Sequence, residues 1–387
     1  MKAQAHGTST PAPRLSQESG TLESLARGWD WFWFNPADPT TLGLIRICCG
    51  LVVLYVHLAY TVDLQVLFGK NAWMDLSTAN YWRKDTPYYA QPAKWDVPPD
   101  LDNPTARGNP VWSVWYHVTD PGWMMTVHVG ILLCMFLFTI GFCTRVTSVL
   151  TWVGAVSYIQ RAPTTLFGQD AIQMILLFYL MIGPSGAALS VDRLISRWWA
   201  RRRGRNDLAD LSPAPLVSAN FVVRLMQIHF CIIYFASGSS KLLGGMWWNG
   251  TATYYTMANY EFAPLDMPLY RDMLAYLCRH RWAWEIFMGG GTAFTLVMEI
   301  GFPFMVWNRR LRPFMIVGAV MLHVGIAVFM GLVGFGLTML SLLIAFVPSD
   351  AVQRWVAALG ETVRPMFKFL SRREPDASKE LVAGAKA

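Results

Sequence analysis

Residues 313–347 read PFMIVGAVMLHVGIAVFMGLVGFGLTMLSLLIAFV, a 35-residue run whose only ionisable side chain is His323. As one helix the run would rise about 52 Å at about 1.5 Å per residue, well beyond a hydrocarbon core of roughly 30 Å. Gly331, Gly334 and Gly336 fall in its middle, where residues without a Cβ permit a tight reversal. The run is therefore expected to be two membrane spans joined as a helical hairpin. Six more apolar blocks lie upstream, at 42–62, 123–142, 146–160, 171–189, 216–238 and 287–307. Each is near the roughly 20 residues that cross a bilayer. The expected fold is all-α, a polytopic transmembrane bundle of about eight spans.

Composition points the same way. Of the 387 residues 54% are hydrophobic and only 15% charged, against about a quarter charged in soluble domains. So little polar side chain cannot coat a water-facing surface, and disorder, collagen, coiled coil and a disulfide scaffold are excluded. The net charge of +7 does not point to nucleic acid. Its densest cluster, Arg197, Arg201, Arg202, Arg203 and Arg205, directly follows an apolar block, where a topology signal sits, and no nucleic-acid motif accompanies it. With the N-terminus inside, eight spans place 20 of the 32 Lys and Arg in the cytoplasm and 10 outside, as the positive-inside rule requires. Both termini are then cytoplasmic. Seven spans would strand the basic tail outside.

The expected organisation is a polar tail with an aromatic interface segment over 1–40, a membrane domain over 41–347, and a cytosolic helix and tail over 348–387. Residues 1–26 read as irregular and without the apolar core of a signal peptide. Trp29, Trp31, Phe32, Trp33 and Phe34 then form an aromatic belt. Two outer loops stand out: 63–122, a proline-rich cap, and 239–286, with an amphipathic helix near 269–284. The six cysteines, Cys48, Cys49, Cys134, Cys143, Cys231 and Cys278, show no C-x-x-C spacing and read as small buried hydrophobes.

Ionisable groups at membrane depth are costly and point to function. They are Arg46 and His57 in the first span, His128 in the second, Arg224 and His229 in the fifth, Glu299 in the sixth and His323 in the seventh. Arg46 and Arg224 lie near cytoplasmic ends and can snorkel to headgroups or pair with Glu299. The histidines occupy four spans without i,i+4 pairing, so no metal site is expected. His323 and Glu299, on adjacent spans, are the pair to watch. Lys241 stands within the run YFASGSSKLLGGMWWNG at 234–250. An amine among aromatic residues loses hydration, which favours its neutral form and suits a general base. A headgroup-binding lysine at the interface is the other reading.

The pieces LGLIR at 42–46, SVD at 190–192, YFxxGxxKL at 234–242, WxG at 248–250, Glu299, His323, GF at 334–335 and ML at 339–340 occur in one order. Together they resemble the HTTM domain of the vitamin K-dependent γ-carboxylase superfamily over residues 40–347. The resemblance implies a quinol cofactor, reduced vitamin K or menaquinol, and a site on the outer side. Lys241 matches the base that deprotonates the hydroquinone before reaction with O2. His323 and Glu299 would position or polarise it. Trp247, Trp248, Tyr234, Arg46 and Arg224 would help to bind substrate, with loop 63–122 as part of the roof. This sequence departs from the carboxylases at three places: Ser240 replaces the first of two lysines, Ala187 replaces a histidine needed for carboxylation, and no long C-terminal region follows residue 347. It shares that reduced form with short bacterial members, one of which matures a secreted peptide.

The leading expectation is thus an integral protein of a bacterial plasma membrane acting as a quinol-dependent, carboxylase- or epoxidase-like oxidoreductase, with the lipid bilayer, a quinol and a peptide substrate as partners. The alternative is a non-catalytic accessory for peptide export or maturation. A transporter would want inverted repeats with broken helices, which the sequence does not display.

Overall fold

The structure is a computed structural model that describes residues 21–84, 111–207, 212–261 and 263–371. Among them no strand forms, and a lone bridge joins Ala37 to Leu216. The chain divides into two units, Met1–Phe346 and Val347–Ala387. In the first unit α1 (Thr21–Phe34), α2 (Thr40–Phe68), α3 (Leu76–Lys84), α4 (Pro121–Ile140), α5 (Thr144–Arg161), α6 (Gly168–Ile182), α7 (Val191–Arg202) and α8 (Val217–Lys241) follow in order. Short helices α9 (Gly245–Trp248), α10 (Ala252–Met257) and α11 (Pro268–Arg279) lead to α12 (Arg281–Met305), α13 (Arg312–Phe329) and α14 (Val333–Leu343). The second unit is α15 (Ser349–Ser371), an amphipathic helix with an Arg354–Asp350 pair at 2.7 Å.

Among the described residues five helices, α2, α4, α8, α12 and α13, are long and apolar enough to cross a membrane, and six elements qualify at most. The long run at 313–347 breaks after Phe329. The turn is at Gly331, with φ +69°, while Gly334 and Gly336 sit inside α14. α6 is 15 residues and α14 is 11, both shorter than their apolar blocks. α5 has 18 residues, but Thr147, Ser148, Thr151, Ser157 and Arg161 give it a buried polar face. Helix begins at Thr21, so the last six residues of the segment expected to be irregular, 21–26, are helical, and 1–20 lie outside the described residues. Residues 85–110 of the proline-rich cap also lie outside them.

The SVD and LGLIR pieces build the scaffold. Asp192 accepts from the amides of Cys143 at 2.7 Å and Thr144 at 2.8 Å, capping α5. Ser190 accepts from Arg193 N at 3.0 Å and starts α7. Arg46 is fully buried and serves only carbonyls. Nη1 donates to Ser185 O and to Ala188 O, Nη2 to Leu189 O at 2.5 Å, and Nε to Thr139 O at 3.5 Å. It therefore ties the end of α4 and the α6–α7 turn to α2 instead of snorkelling. Arg224 also stays within the protein. Its Nε donates to Phe32 O at 3.2 Å, its Nη1 donates to Gln227 Oε1 at 2.9 Å, and its guanidinium stacks 4.4 Å over the Phe32 ring, holding α1 against α8.

Each intramembrane histidine meets a tyrosine. His128 bonds Tyr158 Oη at 2.6 Å and Thr61 Oγ1 at 2.9 Å, and the His57 ring stands edge-on to Tyr158 at 4.8 Å. His229 meets Tyr179 at 3.1 Å and His323 meets Tyr234 at 2.7 Å. These bonds link different helices where lipid offers no competing partner. All six cysteines are free. Only Cys49 is buried, while Cys143 and Cys278 are exposed, because one stands in the α4–α5 turn and the other on the outer face of α11.

Candidate functional site: an ion pair on the wall of an apolar cavity

α8 and α12 pack closely, and Gly238 is the reason. A Cβ at that position would stand 2.8 Å from Ile300 Cγ1 and 3.1 Å from Glu299 Cβ, so any larger residue would push the helices apart. One turn further on, Lys241 is the last residue of α8, where the helix dipole favours a cation. Its Nζ lies 3.0 Å from Glu299 Oε1 and 2.8 Å from Oε2, with hydrogen-bond geometry to Oε1. It also donates to Ser237 Oγ at 2.6 Å, and it stands 5.3 Å from the centre of the Trp247 ring. The lysine is therefore paired directly with Glu299 and not with His323. It is held by a carboxylate, a hydroxyl and an aromatic face.

The YFxxGxxKL run now has a geometric reading. Tyr234, Gly238 and Lys241 repeat at helical spacing on one face of α8. Tyr234 reaches α13 through His323, Gly238 admits α12, and Lys241 bonds Glu299 on α12. Glu299 was expected beside His323, its neighbour in the order of spans, but α8 lies against both helices and takes one partner from each. His323 Nδ1 is buried without a hydrogen-bond partner.

Lys241, Ser237, Glu299 and Trp247 form part of the wall of a cavity of about 950 Å³, the upper end of the size range of small-molecule sites. The rest of the wall is mainly apolar. Phe294 comes from α12, Leu322, Ile326 and Phe329 from α13, and Phe335 from α14. Gly290, Gly291 and Gly325 contribute no side chain, and a Cβ at Gly290 would meet nothing within 4 Å. A π-helical turn over Glu285–Gly289, a common feature of functional helices, brings Ile286 and Phe287 to the cavity. Segment 239–286 has its own core of Met257, Tyr270, Leu274 and Leu277. It is anchored by Tyr270 Oη to Phe329 O at 2.7 Å and contributes Thr253, Thr256 and Glu261 to the wall.

Of the residues singled out from sequence, Lys241, Glu299 and Trp247 converge here. Tyr234 and His323 lie behind the wall as a bonded pair. Trp248 turns its indole nitrogen to Leu242 O at 2.8 Å and is 72% exposed. Arg46 and Arg224 serve the scaffold, and no described residue of 63–122 lines the cavity. Sequence reasoning missed Ser237, whose i,i+4 spacing to Lys241 was the available signal, and Gly238, whose role depends on a neighbour far away in sequence. Among the described residues no three His, Cys, Asp or Glu side chains gather as a metal site would need. No protein-family profile, curated protein or solved structure matches this chain.

Proposed function

We propose that the chain is an eight-span protein of a bacterial plasma membrane, both termini cytoplasmic, in which Lys241 and Glu299 remove a proton from the hydroxyl of a membrane-borne quinol, reduced vitamin K or menaquinol. One observation carries the reading: an ammonium–carboxylate pair is the main polar feature of a large apolar cavity.

The cavity fits such a group. Apolar walls take up a ring and its tail, and Glu299 Oε2 is buried without a donor of good geometry, so it can accept from a hydroxyl. The bound hydroquinone would supply the electrons for reduction of O2. The proton accounting is simple. As paired, the two side chains hold the ammonium's protons and an open carboxylate. A hydroxyl proton moving to Glu299 leaves a protonated carboxyl and an ammonium, whose positive charge stands beside the oxygen that became negative. Ser237 and Trp247 hold Nζ in place, and the apolar wall lowers the polarity around the reacting oxygen. The resemblance implies a peptide as second substrate. Ala187 lies where carboxylation needs a histidine, which favours quinol oxidation over glutamate carboxylation.

The same pair supports a second reading. With each charge compensated and Gly238 beneath it, the pair is a staple between α8 and α12 in a non-catalytic accessory for peptide export or maturation. Binding separates the two. Purified protein is titrated with a short-chain menaquinol under reducing conditions and its thermal unfolding followed. The proposal expects saturable stabilisation of the wild type and at least a tenfold loss of affinity in folded Lys241→Met and Glu299→Gln. Destabilised variants with no quinol binding to any form, the wild type included, would establish the staple instead.

A further inference from the structure

α7 carries a basic concavity at the opposite end of α8 from Lys241. Between 191 and 207 six arginines face two aspartates, Asp192 and Asp207, and Asp192 is committed to the α5 cap. Arg193, Ser196, Arg197, Trp199, Arg203 and Arg205 line a depression of about 470 Å³. At 100° per residue Arg193, Ser196, Arg197 and Arg201 share one arc of the helix, and Leu194, Ile195, Trp198 and Trp199 the other. The apolar arc is uncovered: Leu194 is 62% exposed and Trp199 50%. The arginines do not hang loose. The Arg202 guanidinium stands 4.4 Å over the Trp198 ring and that of Arg203 5.7 Å from the Trp199 ring, while Arg193, Arg197 and Arg201 have partners of their own within the chain.

The position of α7 selects the partner. Asp192 bonds its first turn to the α4–α5 turn at Cys143 and Thr144, and α8 starts at Val217. The helix is thus fixed beside the α4–α5 turn and the start of α8, which in the proposed topology is the layer of the lipid headgroups. An uncovered Leu-Ile-Trp-Trp face beside a cup of guanidiniums asks for a ligand that is apolar along one side and anionic at the other. A soluble anion offers only the second property.

We propose that α7 and residues 203–205 form a binding site for an anionic phospholipid, the phosphate held by Arg197, Arg203 and Arg205 and the acyl chains lying along Leu194, Trp198 and Trp199. Guanidinium matches phosphate by paired, charge-assisted hydrogen bonds, and an interfacial amphipathic helix gains from buried apolar area and anionic lipid together.

The test is delipidated full-length protein in detergent. Thermal unfolding and native mass spectrometry are run with phosphatidylglycerol, phosphatidylcholine of the same chains, or inorganic phosphate. The site predicts phosphatidylglycerol retained at least tenfold better than phosphatidylcholine, a preference that weakens as salt is raised, and no stabilisation by inorganic phosphate alone. Arg197→Gln/Arg203→Gln/Arg205→Gln should lose the preference, and the corresponding triple Lys variant should retain part of it. Equal retention of both lipids by the wild type overturns the proposal, and that comparison needs no variant to fold. Stabilisation by inorganic phosphate equal to that by phosphatidylglycerol also overturns it, leaving a simple anion site.

Discussion

Removing the Lys241 amine leaves the Glu299 carboxylate on an apolar wall with no compensating charge, and removing the carboxylate leaves the amine in the same position. Each single change, Lys241→Met or Glu299→Gln, should therefore cost more than its share of the double change. A double-mutant cycle by thermal or denaturant unfolding is expected to give a coupling of about 0.5–3 kcal/mol. A coupling near zero would mean that solvent, not Glu299, satisfies the amine. Gly238→Val tests the packing beneath the pair. Its side chain would meet Ile300 and the Glu299 Cβ, with an overpacking cost of about 1–3 kcal/mol, and the displacement should lower quinol affinity together with stability. At this scale the sequence was half legible. Lys241 and Glu299 could be singled out because charge is costly at membrane depth. Their pairing was implied only by the family resemblance, because helical patterns alone do not tell which helices touch. Arg46 was misread for the same reason: its partners are four main-chain carbonyls, and backbone leaves no mark in a pattern of side chains.

Helices were more legible than helix lengths. The apolar blocks located every helix long and apolar enough to cross a membrane among the described residues, and the glycines of 331–336 located the reversal between α13 and α14. Gly331 alone takes the left-handed backbone there, with φ +69°, so Gly331→Ala should destabilise the hairpin by about 1–2 kcal/mol, read as a lowered unfolding temperature. The α4–α5 turn depends similarly on Asp192, and Asp192→Ala should cost about 0.5–2 kcal/mol. An unchanged melting curve in either variant would contradict these assignments. Block length failed as a guide where apolar residues continue past the helix. α6 stops at Ile182, and residues 183–190 turn to meet Arg46, since small apolar residues suit a buried loop as well as a helix. α5 failed in the opposite direction. Thr147, Ser148 and Ser157 bond preceding carbonyls, as Ser157 Oγ does to Val153 O at 2.9 Å, so a polar face is accommodated within the bundle.

For the whole molecule, the proposed topology assigns the two exposed cysteines to opposite sides of the bilayer. Cys143 is in the α4–α5 turn and Cys278 on α11, within segment 239–286. Single-cysteine variants in right-side-out vesicles should react with a membrane-impermeant maleimide at Cys278 and, only after permeabilisation, at Cys143. Labelling of both, or the reverse pattern, would refute the eight-span arrangement. That arrangement places the Lys241 cavity toward the outer side and the arginine cup of α7 toward the cytoplasmic leaflet. The most direct test of the central claim, that the Lys241–Glu299 pair works on a quinol, is turnover in nanodiscs. Reduced vitamin K or menaquinol is supplied with O2, and the epoxide and quinone products are resolved by chromatography for the wild type, Lys241→Ala and Glu299→Gln. The account predicts oxidised product above the uncatalysed background for the wild type and at least a hundredfold less for both variants. A folded wild type no faster than background, or variants as fast as the wild type, would contradict it.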